Sequence, residues 1–236
     1  MKIGVFAYNF HHWKTQNGII NLMMSGKKPD VIFAADKVDL NFYKSKIRIS
    51  PKDLHLHHPK EIAEQFGIDY KVVKHNSDEV QTEVKKRNLD LGIVLGARIL
   101  KPIAFNSFNK GVLNMHPGIL PENRGLDTIK WAIFNKLNQG VTCHLIDEKI
   151  DRGLIVKIDK INIYNDDTLV DLQIRIQNLE QKMMIESIKI LEKCDSLRDL
   201  DKAGSGNYNK SMPPEIERKL MIKFDEYKNE FGVQLN

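Results

Sequence analysis

Asn114-Met115-His116-Pro117 sets a primary amide and an imidazole two residues apart at the end of a short apolar run, Gly111–Asn114. On a strand, residues i and i+2 point to the same face. Pro117 cannot continue the strand, so both side chains stand at its lip, which in an open α/β sheet is where ligands bind. An amide N–H can stabilise a developing oxyanion, and an imidazole can take a proton or donate to the same oxygen. The pair therefore suits acyl transfer. A third group has to orient the imidazole, and Asp151 in Asp151-Arg152-Gly153 is the best placed by sequence. A carboxylate there would favour the charged imidazole and fix its tautomer. Taken alone, the same residues also read as a polar strand end and a plain turn.

The elements that must position these groups alternate in type. Lys2–Tyr8 reads as a buried strand, Asn17–Ser25 as a helix ended by Gly26, and Asp30–Asp36 as a second strand. Pro59–Phe66 is a helix with Pro at its start and Gly67 past its end. Then follow a strand over Asp69–Val73, a helix over Ser77–Arg87 with Ser77 as N-cap, and strands at Leu89–Leu95 and Gly111–Asn114. This rhythm predicts an α/β fold, a Rossmann-like parallel sheet with helices on both faces. Beyond it lie a helix over Asp127–Leu137, strands at Val141–Ile146 and Leu154–Ile163, and a long helix over Leu169–Lys193. Thr168 can cap that helix, and Leu172, Ile176, Leu179 and Met183 form its apolar stripe. The stretch 37–58 is basic, aromatic and without period, so it reads as a loop. Asp195–Asn209 reads as a polar linker and Glu215–Phe231 as a final helix. The expected division is a catalytic domain over 1–195 and a linker with a short C-terminal helical extension over 196–236.

The 236 residues are 42% hydrophobic and 28% charged, which excludes a disordered chain and a disulfide scaffold. Two cysteines, Cys143 and Cys194, and the absence of a signal-like or membrane-length apolar run lead us to expect a cytoplasmic protein. The net charge is +5, and the whole excess lies in the first 100 residues. That suits an anionic small ligand; nucleic acid and membrane are not expected partners. His55-Leu56-His57-His58 is read as an exposed tract, and no metal site is expected. Cys143 and Trp131 are read as core residues.

Asn114-Met115-His116-Pro117-Gly118-Ile119-Leu120-Pro121, Arg124-Gly125, Gly140-Val141-Thr142-Cys143-His144 and Asp151-Arg152-Gly153 occur in that order. The series resembles the signature of the formyltransferases that use 10-formyltetrahydrofolate to formylate an amine. The resemblance implies a catalytic triad of Asn114, His116 and Asp151. It implies a folate pocket lined by Ala97, Arg98, Ile99 and Leu100 on one side and Ile146, Asp147 and Ile150 on the other, read largely by backbone groups. Thr142 and His144 are expected to support the site.

Family members divide by acceptor. The glycinamide ribonucleotide enzymes carry a Gly- and Ser-rich turn after the first strand, whereas here the turn is Tyr8-Asn9-Phe10-His11-His12-Trp13-Lys14, without glycine until Gly18. A further C-terminal domain, as in the methionyl-tRNA members, and the extra N-terminal domain of the formyltetrahydrofolate hydrolases are not expected. What remains resembles the sugar N-formyltransferases. The implied substrate is a nucleotide-linked amino-deoxy sugar for surface polysaccharide, a thymidine-linked 4-amino-4,6-dideoxyhexose by preference. Asn9, His12, Trp13, Lys14 and Arg124 are the expected substrate contacts, with the basic loop Lys44–Arg48 beside them. A homodimer is expected through the apolar segment Leu220–Phe231. Two readings stay open beside this one: glycinamide ribonucleotide formylation, and a folate- or nucleotide-binding module without catalysis.

Overall fold

A computed structural model describes residues 1–39, 43 and 45–234 of the chain. At its centre is a seven-stranded sheet built from β1 (Ile3–Tyr8), β2 (Val31–Ala35), β3 (Asp69–Val72), β4 (Leu91–Val94), β5 (Val112–His116), β7 (Gly140–Leu145) and β8 (Leu154–Lys160). Their order across the sheet is β3-β2-β1-β4-β5-β7-β8. The five strands from β3 to β5 are parallel, as the alternation of strand and helix predicts. β7 and β8 then run antiparallel, a departure from the all-parallel expectation. For the β7–β8 pair the reason is local: only the loop Ile146–Gly153 joins them, too short for a crossover helix.

The period of two along each central strand divides the core between the two faces. Ile3, Val5 and Ala7 of β1 and Ile32 and Ala34 of β2 turn to one side, towards α1 (Trp13–Met24), α2 (Pro59–Phe66) and α6 (Leu169–Lys193). Phe6, Val31 and Phe33 turn to the other, where α3 (Asp78–Arg87) and α4 (Pro102–Phe105) cover them with Val80, Val84, Ala104 and Phe105. Strands buried on both faces read as continuous apolar runs, which is why they are visible in the sequence. Between β7 and β8 the register slips: Cys143 faces Lys157 but His144 faces Ile155, leaving Val156 as the extra residue of a bulge. A bulge at that point re-aims the neighbouring side chains.

Two helices begin where their caps say. His58 and Glu61 form a capping box ahead of α2, and Thr168 and Asp171 do so ahead of α6. α1 does not. It starts at Trp13, earlier than the expected Asn17, because Thr15, Gly18, Ile19 and Leu22 form its buried stripe and His12 precedes it without a side-chain cap. Trp13 and Lys14 thus sit on a helical first turn.

The chain beyond α6 departs most from expectation. The segment read as a linker is instead tied down along its length. Ile155 N–H donates to the Asp201 carbonyl at 2.8 Å and Ala203 N–H to the Gly153 carbonyl at 2.9 Å. β10 (Tyr208–Asn209) pairs in parallel with β6 (Arg124–Gly125). The expected final helix is broken into a single turn, α7 (Pro214–Glu217), and α8 (Leu220–Phe231). α8 packs on α5 (Thr128–Phe134) and buries Leu220, Phe224 and Tyr227 in the same core as β1. After α8, β11 (Gly232–Val233) pairs with β9 (Ile163–Tyr164), so the expected strand over Leu154–Ile163 ends at Lys160 and the chain re-pairs elsewhere.

Candidate active site

β5 delivers Asn114 and His116 to its C-terminal end, and β7 beside it supplies Thr142 and His144. The pairing sets Asn114 opposite His144 and His116 opposite Thr142. The Asn114 Nδ2 group lies 3.2 Å from His144 Nε2. Thr142 holds the loop that follows Pro117: its hydroxyl donates to the Gly118 carbonyl at 2.8 Å and accepts from Leu120 N–H at 3.1 Å. Thr142 is therefore a support, as its place on the strand implies.

Asp151 comes from the loop between β7 and β8, in the left-handed region with φ 53°, a conformation that Asp tolerates better than most residues. Two residues on, a Cβ at Gly153 would run into the Leu145 carbonyl oxygen, so only glycine closes the loop. Asp151 Oδ2 accepts from Gly125 N–H at 2.8 Å. Its Oδ1 stands between two imidazoles, 3.5 Å from His116 Nδ1 and 3.8 Å from His144 Nε2. The structure thus brings the three expected catalytic groups together, with His144 as a fourth.

The two histidines are held differently. His116 Nε2 lies 2.8 Å from the Asn123 carbonyl oxygen. A carbonyl only accepts, so Nε2 carries the hydrogen and Nδ1 is left to face Asp151. Burial holds the His144 pKa below its usual range, and the neighbouring His116 pushes the same way against the pull of Asp151. His144 is consequently neutral near pH 7, and its Nδ1 is buried without a hydrogen-bond partner among the described residues. Cys143, between them in sequence, is buried in the core, where desolvation pushes its thiol up to about 12. It is no nucleophile.

A cavity of about 190 Å³ opens on Asn114, His144 and Asp151. One wall is Val94 with Ala97, Arg98, Ile99 and Leu100, and the other is Ile146–Ile150, so every residue expected to contact folate lines it. Ile99 and Ile150, 68% and 40% exposed, stand open at its mouth. Exposed apolar side chains beside backbone donors and acceptors fit a flat heteroaromatic ring. The volume falls below the roughly 300 Å³ at which sites for drug-sized ligands begin, so it fits the head of such a molecule only. Arg98 also lines a second cavity of about 910 Å³, over the ends of β1, β2 and β3, with Tyr8, Phe10, Lys37 and Lys74. Asp147 is ion-paired to Lys202 at 3.0 Å.

The expected acceptor contacts are dispersed and mostly engaged. Asn9 donates to Asp36 and accepts from the Tyr70 hydroxyl, both at 2.7 Å. His12 lies 2.8 Å from the Thr15 hydroxyl, and burial, reinforced by Lys14, lowers its pKa to about 4. Lys14 reaches beneath β5, donating to the Met115 carbonyl at 3.0 Å and to Glu180 at 2.6 Å. Trp13 is half-buried on the first turn of α1. Arg124, 9% exposed, donates to the carbonyls of Ile150 at 2.6 Å and Gly206 at 3.0 Å. Of the basic loop, Lys44 lies outside the described residues. Tyr43, Ser45 and the Lys46 backbone all donate to Glu217 of α7.

What sequence reasoning missed is the Asn123 carbonyl, the clasp of Arg124 and the strand β10 behind them. A backbone carbonyl carries no residue signature. A two-residue strand carries no period.

Residues 27–188 match the formyl transferase family. Among curated relatives, the methionyl-tRNA formyltransferase of Flavobacterium johnsoniae is 35% identical over 111 residues, 47% of this chain and 35% of that protein. The chain thus spans about a third of that relative's length. Solved structures share the fold at lower identity. Glycinamide ribonucleotide transformylase 1 from Symbiobacterium toebii superposes with a TM-score of 0.64 at 19% identity, covering 86% of this chain and 94% of that one. A 4-N formyltransferase from Francisella tularensis gives 0.60 at 18%, covering 94% and 86%. The formyltransferase PseJ from Anoxybacillus kamchatkensis, in complex with UDP-4,6-dideoxy-4-formamido-L-AltNAc and tetrahydrofolate, gives 0.52 at 22%, covering 71% and 87%. With the family pattern running from just after α1 to near the end of α6, and so through β5, β7 and the Asp151 loop, this chain belongs to the formyl transferase family.

Proposed function

We propose that this protein transfers the formyl group of 10-formyltetrahydrofolate to the amine of a nucleotide-linked amino-deoxy sugar, in the cytoplasm, for surface polysaccharide. The observation that carries the formyl-transfer reading is that Asn114 and Asp151 line the cavity walled by Ala97–Leu100 and Ile146–Ile150, with His116 3.5 Å from Asp151. The amine nitrogen attacks the formyl carbon, a tetrahedral oxyanion forms, and the bond from that carbon to N10 of the folate breaks. The amine proton leaves and N10 gains one, so tetrahydrofolate and the formamide are released. Asn114 carries two amide hydrogens, and one remains for the oxyanion when the other faces His144. Asp151 Oδ1, the carboxylate oxygen that Gly125 does not occupy, is the acceptor that relays the proton, with the His116 ring 3.5 Å away.

The sugar acceptor is supported by the glycine-free turn after β1 and by the likeness to sugar N-formyltransferase folds. The methionyl-tRNA reading rests on the curated relative and the glycinamide ribonucleotide reading on the superposition with its transformylase. An amine panel decides. With 10-formyltetrahydrofolate as donor, a thymidine-linked 4-amino-4,6-dideoxyhexose is expected to release tetrahydrofolate far faster than glycinamide ribonucleotide or methionyl-tRNA. Turnover of either rival with every amino sugar refused overturns the acceptor, and folate binding without turnover of any amine favours a binding module. A homodimer belongs to this proposal. Leu220, Phe224 and Tyr227 of α8 are turned into the chain's own core, which leaves Met221 and Ile222 as its exposed apolar residues. Sedimentation measures the state directly.

A further inference from the structure

Of three consecutive residues outside the triad, two touch its members and the third holds the residue next to one of them. The Asn123 carbonyl faces His116 Nε2, the Arg124 guanidinium bridges the carbonyls of Ile150 and Gly206, and Gly125 N–H donates to Asp151 Oδ2. All three are fixed from behind by the segment 206–209. Asn209 Nδ2 donates to Asn123 Oδ1 at 3.0 Å, and β10 pairs Tyr208 with Arg124 and Asn209 with Gly125. Gly125 has φ 96°, and a Cβ there would strike the Asn209 carbonyl, so the two strands approach as closely as backbone allows. Asn123 is also held by donation to the Thr128 carbonyl at 2.8 Å.

We propose that Arg124 is a positioning residue: by binding the carbonyl next to Asp151 and the carbonyl of Gly206 together, it sets the separation of Asp151 from His116. Its guanidinium is committed to two carbonyls, its Nε is buried without a partner among the described residues, and the Tyr208 ring lies 6.0 Å away. Arg124 is not itself among the residues that line the cavity; it acts on the wall from behind, through the Ile150 carbonyl. The forked shape matters, since one planar group meets two acceptors that lie 26 and 82 residues from it along the chain. Without the clasp, the left-handed Asp151 is held by the Gly125 N–H and the short loop alone, and Oδ1 drifts from the imidazole edge. A displacement of about 1 Å at a catalytic group costs on the order of 100-fold in rate.

The proposal rests on the formyl-transfer reading, and the test has one arm that does not. In the first arm, Arg124→Met is expected to lower kcat by about 10- to 100-fold with KM for 10-formyltetrahydrofolate within about threefold. Arg124→Lys, which keeps a cation but only one contact at a time, is expected to fall between it and the wild type. In the second arm, ¹⁵N-histidine spectra of the full chain are recorded, with the His116 signals assigned by their loss in His116→Ala. Arg124→Met is expected to move the His116 ring signals in the direction that Asp151→Asn moves them. Should Arg124→Met not fold, Arg124→Lys and Asn209→Ala are read the same way. A folded variant with unchanged kcat and unchanged His116 signals overturns the proposal. So does a raised KM at unchanged kcat, which would make Arg124 a substrate contact. If the wild type formylates no amine at all, the functional reading fails, and the spectra still judge Arg124.

Discussion

His116 is held at one nitrogen by a carbonyl and faced at the other by a carboxylate, so its removal takes away an oriented imidazole and the partner that Asp151 Oδ1 faces. His116→Ala is expected to lower kcat by about 10² to 10⁴. It should unfold only slightly more easily, since the cost is one carbonyl left unpaired, on the order of 1–3 kcal/mol. Single-turnover kinetics alongside a thermal melt separates the two; near wild-type kcat in the folded variant would end the mechanism. Asp151→Asn keeps an oxygen for Gly125 N–H but loses the charge, and should cut kcat by a similar factor with little change in folate binding. Trp13→Ala should raise KM for the sugar nucleotide and leave that for the folate nearly alone. The acyl-transfer groups were legible at this scale because the family signature names side chains. The resting partner of His116 was not, because it is the backbone of Asn123.

Among elements, α7 is a single turn, yet it carries Glu217, 2% exposed and met by Lys130 Nζ at 2.9 Å, Lys46 N–H at 3.1 Å and the Tyr43 and Ser45 hydroxyls. Burial alone would raise its pKa, but the hydrogen bonds of Ser45, Lys130 and Lys46 outweigh it and hold the carboxyl at about 2. A depressed folded-state value stabilises the native chain above the unfolded value near 4.5, and that contribution fades as pH falls through about 2. Glu217→Gln should therefore cost on the order of 3 kcal/mol at pH 7, and the gap in Tm from the wild type should close between pH 4.5 and 2. A pH-independent gap would mean packing, not charge. The basic loop that looked free in the sequence is docked by this carboxylate, across more than 170 residues. Such a contact has no local signal. α2 was legible almost to the residue through Pro59 and Gly67 at its ends, and α6 through the Thr168 cap, whereas the start of α1 was not, since His12 offers no capping side chain.

At the scale of the whole molecule, the parallel half of the sheet follows from alternating apolar runs and helices, and was readable. The closing of the chain was not. Met212, Leu220, Phe224 and Tyr227, each no more than 1% exposed, fill the same core as Ile3 and Val5, although the sequence around them reads as an extension. Burying four such side chains contributes roughly 1.5–3 kcal/mol apiece, comparable to the whole margin of a typical domain. A chain cut after Asp199 is thus expected to lose its cooperative thermal transition. Retention of a sharp melt in that fragment would show that the first 199 residues are self-sufficient.

The parallel pairing of Tyr208–Asn209 with Arg124–Gly125 also has a bearing on biosynthesis. A ribosome adding roughly 5–20 residues per second completes Asp151 some seconds before Asn209 emerges. In that interval the nascent chain carries the candidate catalytic side chains without the strand that fixes their backing. Asp151 and His116 thus wait, already made, for a segment synthesised more than 50 residues later to fold back and fix their backing.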